Sequence, residues 1–403
     1  MNNLERFKKA LNWEPVDRIQ TYDFTDSGPL LEQLAGYDRS RTYSWEEVME
    51  VNALAWKNAG LDVTRYVYDP ASHWMGGKIV NWIRFLGVDA EDWAISQTGG
   101  TAWISKRPFS DLRGLEKHMP RMPKYEEVRD WYAPAIKQMQ EVLAEHDIVF
   151  IGALEGPITD AYSYMDLELF CSAIYEAPEL VAHVMDCCGR FSACIAQTYA
   201  EVGQVPLMFM GEDIATTTGP IFMPGWVRSE GLPRWRWIAD PIKAAGMKFL
   251  FHTDGRYGSF LAIIFDELGA DGLNPIERNG CNDIFAIRRQ YPHKLLFGNV
   301  CCTQTLPYGT PGDVEDETLE LIEKIGLQGG IFIGSSSEVH DLVPVANTVT
   351  MYRTVHEYGH HPIDVDRIRA RRAALRQKGQ LKLRADLVLQ THASSKNHEG
   401  DAQ

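Results

Sequence analysis

The sequence lacks the features that would place it outside the ordinary globular proteins. Its seven cysteines are an odd number, and two pairs are adjacent, at positions 187–188 and 301–302, so they do not form a disulfide framework. No uninterrupted apolar run approaches the roughly 20 residues that cross a membrane, and the first residues lack the apolar core of a secretory signal. We therefore expect a cytoplasmic protein with reduced thiols and no membrane association.

Negative charges outnumber positive charges. The formal net charge is -15, which argues against a nucleic-acid partner because phosphate binding depends on clustered lysine and arginine. The exception is the basic stretch DRIRARRAALRQKGQLKLR, residues 366–384, which precedes a polar end. We expect residues 366–403 to form a basic helix and a flexible tail. A partner-binding arm is the alternative interpretation.

Several sequence motifs of common enzymes are missing. We find no glycine-rich phosphate loop of the GxGxxG or GxxxxGK type, no GxSxG elbow, and no CxxC or EF-hand pattern. Serine-hydrolase and redox functions therefore have no support from motifs. An open, doubly wound sheet is also disfavoured, because such sheets usually carry a glycine-rich phosphate turn.

Short β-branched or aromatic runs alternate with longer amphipathic segments along most of the chain. This alternation is typical of repeated βα units around a parallel sheet. The predicted strands are RIQTYDF, DIVFIGALE, PLMFMGED, KFLFHTD, GLNPI, KLLFGNV and GIFIGSS. We therefore predict an α/β fold in which residues 1–365 form a single (β/α)₈ TIM-type barrel.

Residues 36–135 fit the repeat poorly and are predicted to be an N-terminal helical and β-hairpin insertion. The segment is rich in tryptophan and includes GVDAEDWAISQTGGTAWISKRPF, in which a GG turn separates two short strands. Such an insertion could cover the barrel mouth. Its aromatic side chains would suit a flat apolar ligand, although packing in the core is the commoner role of aromatics.

The predicted strands end in polar side chains. In a (β/α)₈ barrel the carboxyl ends of all strands meet on one face, so these residues should converge on a single pocket. His252 and Asp254 lie two residues apart on one strand and therefore point to the same side. An imidazole beside a carboxylate suggests half of a metal site or a general-base pair, although a hydrogen-bonded strand end is equally compatible. Glu212 and Asp213 end another strand.

A zinc site is one interpretation of these strand ends. A histidine, a thiolate and carboxylates suit zinc, whose catalytic sites use about three protein ligands and keep one position open. The predicted metal ligands are His252, Asp254, Glu155 and Cys301. The sequence does not decide whether Cys301 or Cys302 faces the site, and a buried structural thiol is the alternative for both.

The order of several motifs resembles the uroporphyrinogen decarboxylase superfamily, which includes corrinoid-dependent methyltransferases. These motifs are PVDRI, GED followed by GP, KFLFHTDG, ELGADGLNPIE, GNV followed by GTP, and GGIFIGSS followed by VPVAN. The resemblance implies a (β/α)₈ barrel with its active site in the mouth, and a homodimer. It covers roughly residues 5–360.

Departures from the family motifs favour one branch. The arginine-rich segment with which decarboxylases hold an acidic tetrapyrrole is replaced by TYDFTDSGPLLEQLAGY, so Asp23 matches the decarboxylase aspartate only loosely. The thiol-methylating members carry His-x-Cys where this chain has His252-Thr253-Asp254, and a second cysteine where it has Ser337. Carboxylates in place of thiolates would leave a more Lewis-acidic metal, which favours polarising an oxygen.

These comparisons predict the methyltransferase component of an anaerobic O-demethylation system. It would move a methyl group from a methoxylated, aromatic substrate to the corrinoid of a separate protein, since the chain carries no DxHxxG-type corrinoid loop. The predicted catalytic residues are His252, Asp254, Glu212 and Asp213, and the predicted substrate-binding residues are Asp23, Asn274, Glu277, Asn299, Ser337 and Tyr164. A decarboxylase of another carboxylated substrate and a non-catalytic binding subunit are the alternatives.

Overall fold

The computed structural model describes residues 1–65, 67, 82, 84–88, 93–98 and 101–383. In chain order its strands are β1 Gln20–Asp23, β2 Thr25–Asp26, β3 Val63–Thr64, β4 Ala94–Thr98, β5 Thr101–Lys106, β6 Val149–Phe150, β7 Gly152–Glu155, β8 Leu207–Gly211, β9 Ala215–Thr216, β10 Gly219–Pro220, β11 Lys248–His252, β12 Gly272–Asn274, β13 Leu295–Phe297, β14 Ile331–Ile333 and β15 Val339–His340.

The main sheet closes into a barrel. Its parallel strands follow the order β6-β3-β1-β14-β13-β12-β11-β8-β7. Because only Ile151 separates β6 from β7, these two form one strand position, which pairs with β3 on one side and with β8 on the other. The described strands therefore fill eight positions in chain order. The predicted TIM-type barrel is confirmed, and no reversal of strand order creates the switch point of a doubly wound sheet.

Strand alternation divides the apolar side chains between two cores. Tyr22, Phe209, Leu250, Phe297 and Phe332 belong to the cluster inside the barrel, together with residues of the first helix. The rings of Phe297 and Phe332 stack there with centroids 4.2 Å apart. Side chains on the other face pack against the surrounding helices. Because side chains alternate, the residues two positions beyond an inward Leu250 or Phe209 also face the barrel axis.

The helices surround the barrel. They are α1 Asn3–Leu11, α2 Gly28–Ala35, α3 Trp45–Ala59, α4 Leu112–Lys117, α5 Tyr125–Glu145, α6 Pro157–Met165, α7 Leu167–Glu176, α8 Pro178–Val202, α9 Pro224–Trp226, α10 Leu232–Ala244, α11 Ile284–Gln290, α12 Thr305–Tyr308, α13 Pro311–Ile325, α14 Val345–Tyr358 and α15 Val365–Gln377. Capping boxes begin α3, at Ser44 and Glu47, and α13, at Thr310 and Asp313, as expected for well-defined helix starts. None of the described helices combines the length and apolar content needed to cross a membrane.

The segment predicted as an insertion contains part of the barrel. The second barrel strand, β3, lies inside residues 36–135, so a boundary at residue 36 is too early. The hairpin is present: β4 and β5 pair antiparallel, with Thr98 opposite Thr101, while the GG turn itself lies outside the described residues. Trp93 packs on Tyr164 with ring centroids 5.1 Å apart. That the segment covers the barrel mouth stays a prediction.

The basic C-terminal stretch forms α15, which begins at Val365. Its arginines pair with carboxylates of α13: Arg372 Nε lies 2.9 Å from Asp316 Oδ1, and Arg369 Nε lies 2.8 Å from Glu323 Oε1. These ion pairs attach α15 to the barrel, so the basic stretch contains the predicted helix. Residues 384–403 of the predicted tail lie outside the described part of the chain.

Candidate active site

His252 ends the fifth barrel strand and faces the mouth. Its Nδ1 lies 2.8 Å from Asn274 Oδ1, and Asn274 Nδ2 donates to the carbonyl oxygen of Phe297 at 3.2 Å. Because a carbonyl oxygen only accepts, the amide nitrogen of Asn274 must face Phe297, and its oxygen must face His252. Nδ1 of His252 therefore carries a proton, and Nε2 is the nitrogen directed into the mouth.

Two carboxylates face this nitrogen. Nε2 of His252 lies 3.7 Å from Asp213 Oδ1 and 3.6 Å from Asp254 Oδ2. Strand register explains the convergence: Gly211 pairs with His252, and each aspartate lies two residues beyond a member of that pair. The His252 side chain is 7% exposed, whereas those of Asp213 and Asp254 are 44% and 37% exposed. The cluster is thus buried on its imidazole side and open on its carboxylate side.

The charges of the cluster shift the pKa of its members. Burial alone lowers the pKa of His252, but the carboxylates of Asp254 and Asp213 outweigh burial and raise this pKa to about 9. Withdrawal from water, followed by the nearby charge of Asp254, raises the pKa of Asp213 to about 6. In the metal-free protein His252 is therefore an imidazolium at neutral pH, with the Nε2 proton directed between the two carboxylates.

The same three residues fit a divalent metal ion. One ligand atom from each of Asp213, His252 and Asp254 lies within 4.8 Å of the others. Ligand atoms of a tetrahedral zinc ion lie roughly 3.3 Å apart, only slightly closer than the observed 3.6 and 3.7 Å. Oδ1 of Asp254 is buried and has no hydrogen-bond partner among the described residues. An imidazole with two carboxylates, near a solvent-open side, is the donor set of a catalytic rather than a structural zinc site.

The other two predicted metal ligands lie outside this group. Glu155 ends the third barrel strand beside Gly211, where a Cβ atom would lie 2.9 Å from Glu155 Oε2, so the glycine provides space for the carboxylate. The charge of Glu155 contributes to the raised pKa of Asp213, so Glu155 lies near the cluster, but it is not one of the three residues that could share a metal ion. Cys301 is buried, with its sulfur 3.5 Å from Thr303 Oγ1. Cys302 accepts from Ser336 Oγ, and burial raises its pKa to about 12.

Glu212 was predicted to be catalytic, but it does not lie in the cluster around His252. It points to the outer side of the strand, where its carboxylate accepts from the backbone N–H groups of Ile158 and Thr159 at 3.1 and 2.8 Å and from Trp235 Nε1 at 2.6 Å. Burial raises its pKa to about 7, against the effect of these hydrogen bonds. Glu212 therefore anchors the start of α6, and its position next to Asp213 in sequence places it on the opposite face.

The predicted substrate-binding residues separate into two groups. Asn274 orients His252, as described above, and Glu277 accepts from the backbone N–H of Gly255 at 2.7 Å, which holds the loop after Asp254. Asn299 is fully buried and donates to the carbonyl oxygen of Ile276 at 2.6 Å. These residues hold His252 and the loops of the mouth in place by hydrogen bonds.

Asp23, Tyr164 and Ser337 form internal hydrogen bonds instead. Asp23 is 1% exposed and accepts from the Ser335 backbone N–H and from Tyr352, both at 2.9 Å. Tyr164 is fully buried and donates to the carbonyl oxygen of His118. Ser337 donates to its neighbour Glu338. The structure brings none of these three into the cluster around His252.

Sequence reasoning missed a cavity and an arginine beside the cluster. The cavity, of about 330 Å³, lies between strands β6 to β8 and helices α5 and α8, and we call it the aromatic cavity; its ring-bearing lining includes Trp82, Tyr132, Phe150, Phe191, Tyr199 and Phe209. Arg65, which directly follows β3, also lines it. Phe209 connects cavity and cluster, because its ring centroid lies 4.9 Å from that of His252. Arg65 could have been found as a polar residue at the end of a strand, but β3 was not predicted from the sequence.

Asn274→Leu tests the orientation of His252. Without the Asn274 acceptor, the ring loses the partner that fixes its tautomer, and we expect zinc affinity to fall about 10- to 100-fold. Competition with a chromogenic chelator would measure this affinity. Asn347→Leu is a matched control, since Asn347 is also buried and donates to the carbonyl oxygens of Leu306 and Gly309, not to His252. Equal affinities of the wild type and Asn274→Leu would contradict the assigned role.

Comparison with known proteins agrees with the barrel fold. Residues 4–358 match the family described as Uroporphyrinogen decarboxylase (URO-D). The methylcobamide:CoM methyltransferase of Methanosarcina mazei is 21% identical over 330 residues, covering 79% of this chain and 88% of that protein. A solved structure of a methyltransferase from Methanosarcina mazei has a TM-score of 0.63 at 20% identity, covering 89% of this chain and 99% of the other. The family match spans most of the sequence, so the predicted superfamily is confirmed: the chain belongs to the uroporphyrinogen decarboxylase family.

Proposed function

We propose that this protein is a corrinoid-dependent methyltransferase of the O-demethylase type. It takes a methyl group from a methoxylated, aromatic substrate and delivers it to the cobalt of a corrinoid held by a separate protein. The observation that carries the proposal is the convergence of His252, Asp213 and Asp254 at the open end of a barrel, next to a cavity lined by aromatic rings. The likeness to a methylcobamide-using enzyme supports the corrinoid partner.

The residues of the cluster can stabilise a departing oxygen. When an aryl methyl ether loses its methyl group to cob(I)alamin, negative charge develops on the ether oxygen, and an acid or a cation at that oxygen lowers the barrier. Asp213, His252 and Asp254 would hold zinc, which supplies Lewis acidity at such an oxygen when bound. Without metal, the Nε2 proton of His252 serves the same oxygen as a general acid.

The surrounding residues hold this arrangement in place. Asn274 directs Nε2 toward the substrate side, and Glu277 fixes the loop that follows Asp254. The Asp254 backbone N–H lies 3.5 Å from Asp213 Oδ1, which keeps the two carboxyl groups together. The corrinoid protein would approach the open mouth from outside, and we infer a homodimer from the family resemblance.

Anaerobic transfer to cob(I)alamin tests the proposal. Protein purified without chelator is analysed for metal and then mixed with cob(I)alamin and a panel of methoxylated aromatics. We expect near-stoichiometric zinc and conversion of the cob(I)alamin spectrum to that of methylcobalamin with at least one methyl donor. Methyl transfer by a metal-free protein would favour the general-acid form. No transfer with any donor would contradict the proposal.

A decarboxylase is the second candidate, favoured by the family description. It would release carbon dioxide from carboxylated substrates without any corrinoid. The hydrogen bonds of Asp23 argue against it, because a residue already satisfied by Ser335 and Tyr352 is not free to protonate or orient a substrate. Carbon dioxide release in place of cobalt methylation would select this function.

A further inference from the structure

Arg65 carries a positive charge at the mouth and forms no ion pair with a described carboxylate. Its guanidinium carbon lies 4.0 Å from the ring centroid of Phe209 and 4.4 Å from that of Phe24. Its Nε is buried without a hydrogen-bond partner, and no ion pair joins it to any residue in the described ranges. Contacts with ring faces and with Tyr22 attract the charge but leave the Nε–H donor without an acceptor among the described residues.

Several buried or half-buried arginines among the described residues pair with carboxylates. Arg18 contacts Asp62 at 2.6 Å, Arg234 contacts Asp186 at 2.7 Å and Arg372 contacts Asp316 at 2.9 Å. Removing a charged group from water is costly unless a partner compensates it. Arg288, which forms no ion pair in the described ranges, donates to four backbone carbonyl oxygens instead. Arg65 has neither a carboxylate nor a carbonyl partner among the described residues, at a place where a ligand could supply an anion.

The position of Arg65 relates it to the reacting group. The Phe209 ring contacts the Arg65 guanidinium on one hand and the His252 imidazole on the other, with centroid distances of 4.0 and 4.9 Å. Arg65 and Phe209 both line the aromatic cavity. A single aromatic ring beside Phe209 could thus meet Arg65 at one substituent and the His252 cluster at another.

The mouth is rich in carboxylates, so Arg65 is a local cation in an acidic surrounding. Asp213, Asp254, Glu155 and Glu277 all lie at the carboxyl ends of neighbouring strands, and the formal net charge of the chain is -15. Such a surrounding repels anions unless a local cation compensates them. A planar guanidinium binds a carboxylate through two parallel hydrogen bonds, which a neutral group cannot reproduce.

We propose that Arg65 selects the methyl donor by its charge, and that the substrates are aryl methyl ethers with a carboxylate on the same ring. This inference rests on the proposed function for the methoxy group, but the binding of the carboxylate is separate from methyl transfer. The ring lies in the aromatic cavity, the carboxylate contacts Arg65, and the methoxy oxygen faces His252, Asp213 and Asp254.

Binding of uncharged and anionic probes tests the proposal without any corrinoid. Isothermal titration of the full chain with 3-methoxybenzoate and 3-methoxybenzamide is carried out for the wild type, Arg65→Gln, Arg65→Lys and Arg190→Gln. Arg190 is the matched control, because it lies 3.8 Å from the ring centroid of Trp237 and is exposed on α8. Thermal unfolding of each variant verifies that the fold is retained.

We expect the wild type and Arg190→Gln to bind the benzoate about 10- to 100-fold more tightly than the benzamide, which is the range for losing a hydrogen bond to a charged group. Arg65→Gln should lose this preference, and Arg65→Lys should keep part of it. Equal affinities of the wild type for both probes, an unchanged preference in Arg65→Gln, or no binding of either probe would overturn the inference. A preference that depends on Arg65, together with no methyl transfer, would refute only the proposed reaction.

Discussion

Replacing His252 by alanine is expected to lower methyl transfer to cob(I)alamin by about 100- to 10,000-fold, the range for removing a positioned acid or base. The substitution removes the Nε2 atom that lies between Asp213 and Asp254. If the wild type contains zinc, the variant should also lose it, because two carboxylates remain from the group of three ligands. Metal analysis and the cobalamin spectrum measure the two effects on the same sample.

The control for this prediction is His146→Ala. His146 pairs with Glu50 on the surface, with its Nε2 2.6 Å from Glu50 Oε2, so the variant also loses a histidine–carboxylate contact. Its activity and metal content should equal those of the wild type. Full activity of His252→Ala would exclude both the metal and the general-acid form of the proposed mechanism.

His252 also makes the stability of the metal-free protein depend on pH. Its pKa is about 9 in the folded protein and near 6.5 in the unfolded chain, so the folded state binds the proton more tightly. The resulting stabilisation is complete below about pH 6.5 and is lost as the pH rises through about 9. Denaturation curves between these values should show this loss in the wild type and not in His252→Ala.

Glu212→Ala is expected to lower the free energy of unfolding by about 3–5 kcal/mol. The substitution leaves the backbone N–H groups of Ile158 and Thr159 and the Trp235 Nε1–H without their acceptor, and each buried donor left unsatisfied costs about 1–3 kcal/mol. Because Glu212 is fully buried, water cannot replace the carboxylate without rearrangement. Urea denaturation followed by tryptophan fluorescence would measure the change.

Asp213→Asn is the matched variant, one residue further along the chain. Its side chain is half-exposed at the mouth, so the free energy of unfolding should change little, while methyl transfer should fall strongly. The two substitutions thus separate a structural carboxylate from a functional one. A Glu212→Ala protein as stable as the wild type would contradict the anchoring role.

The fold was predictable because most barrel strands are buried on both faces and appear as apolar runs. The second strand was missed because only Val63 and Thr64 form its ladder, too few residues to display a pattern. Arg65 was missed for the same reason, because site residues were sought at the ends of predicted strands and β3 was not among them. The spacing of His252 and Asp254 was sufficient to predict a shared face.

The roles of neighbouring carboxylates could be assigned only from the register of the strands. Glu212 and Asp213 are chemically similar in the sequence GED, and only the pairing of Gly211 with His252 shows which one faces the barrel axis. Asp23 was predicted to bind substrate because it loosely matches the decarboxylase aspartate, but its partners Ser335 and Tyr352 lie more than 300 positions away. Contacts of that kind depend on closure of the barrel, which no local pattern reveals.

Closure of the barrel also constrains how the protein is made. Gln20 pairs with Phe332, and Asp23 is hydrogen bonded to Ser335, 312 residues later. During synthesis the first strand must therefore wait, with one edge unpaired, until the last strand has left the ribosome. Contacts between such distant residues form slowly. A nascent chain of this protein should therefore depend on chaperones that shield strand edges. The interior that supports His252 is closed to water only when β1 and β14 pair.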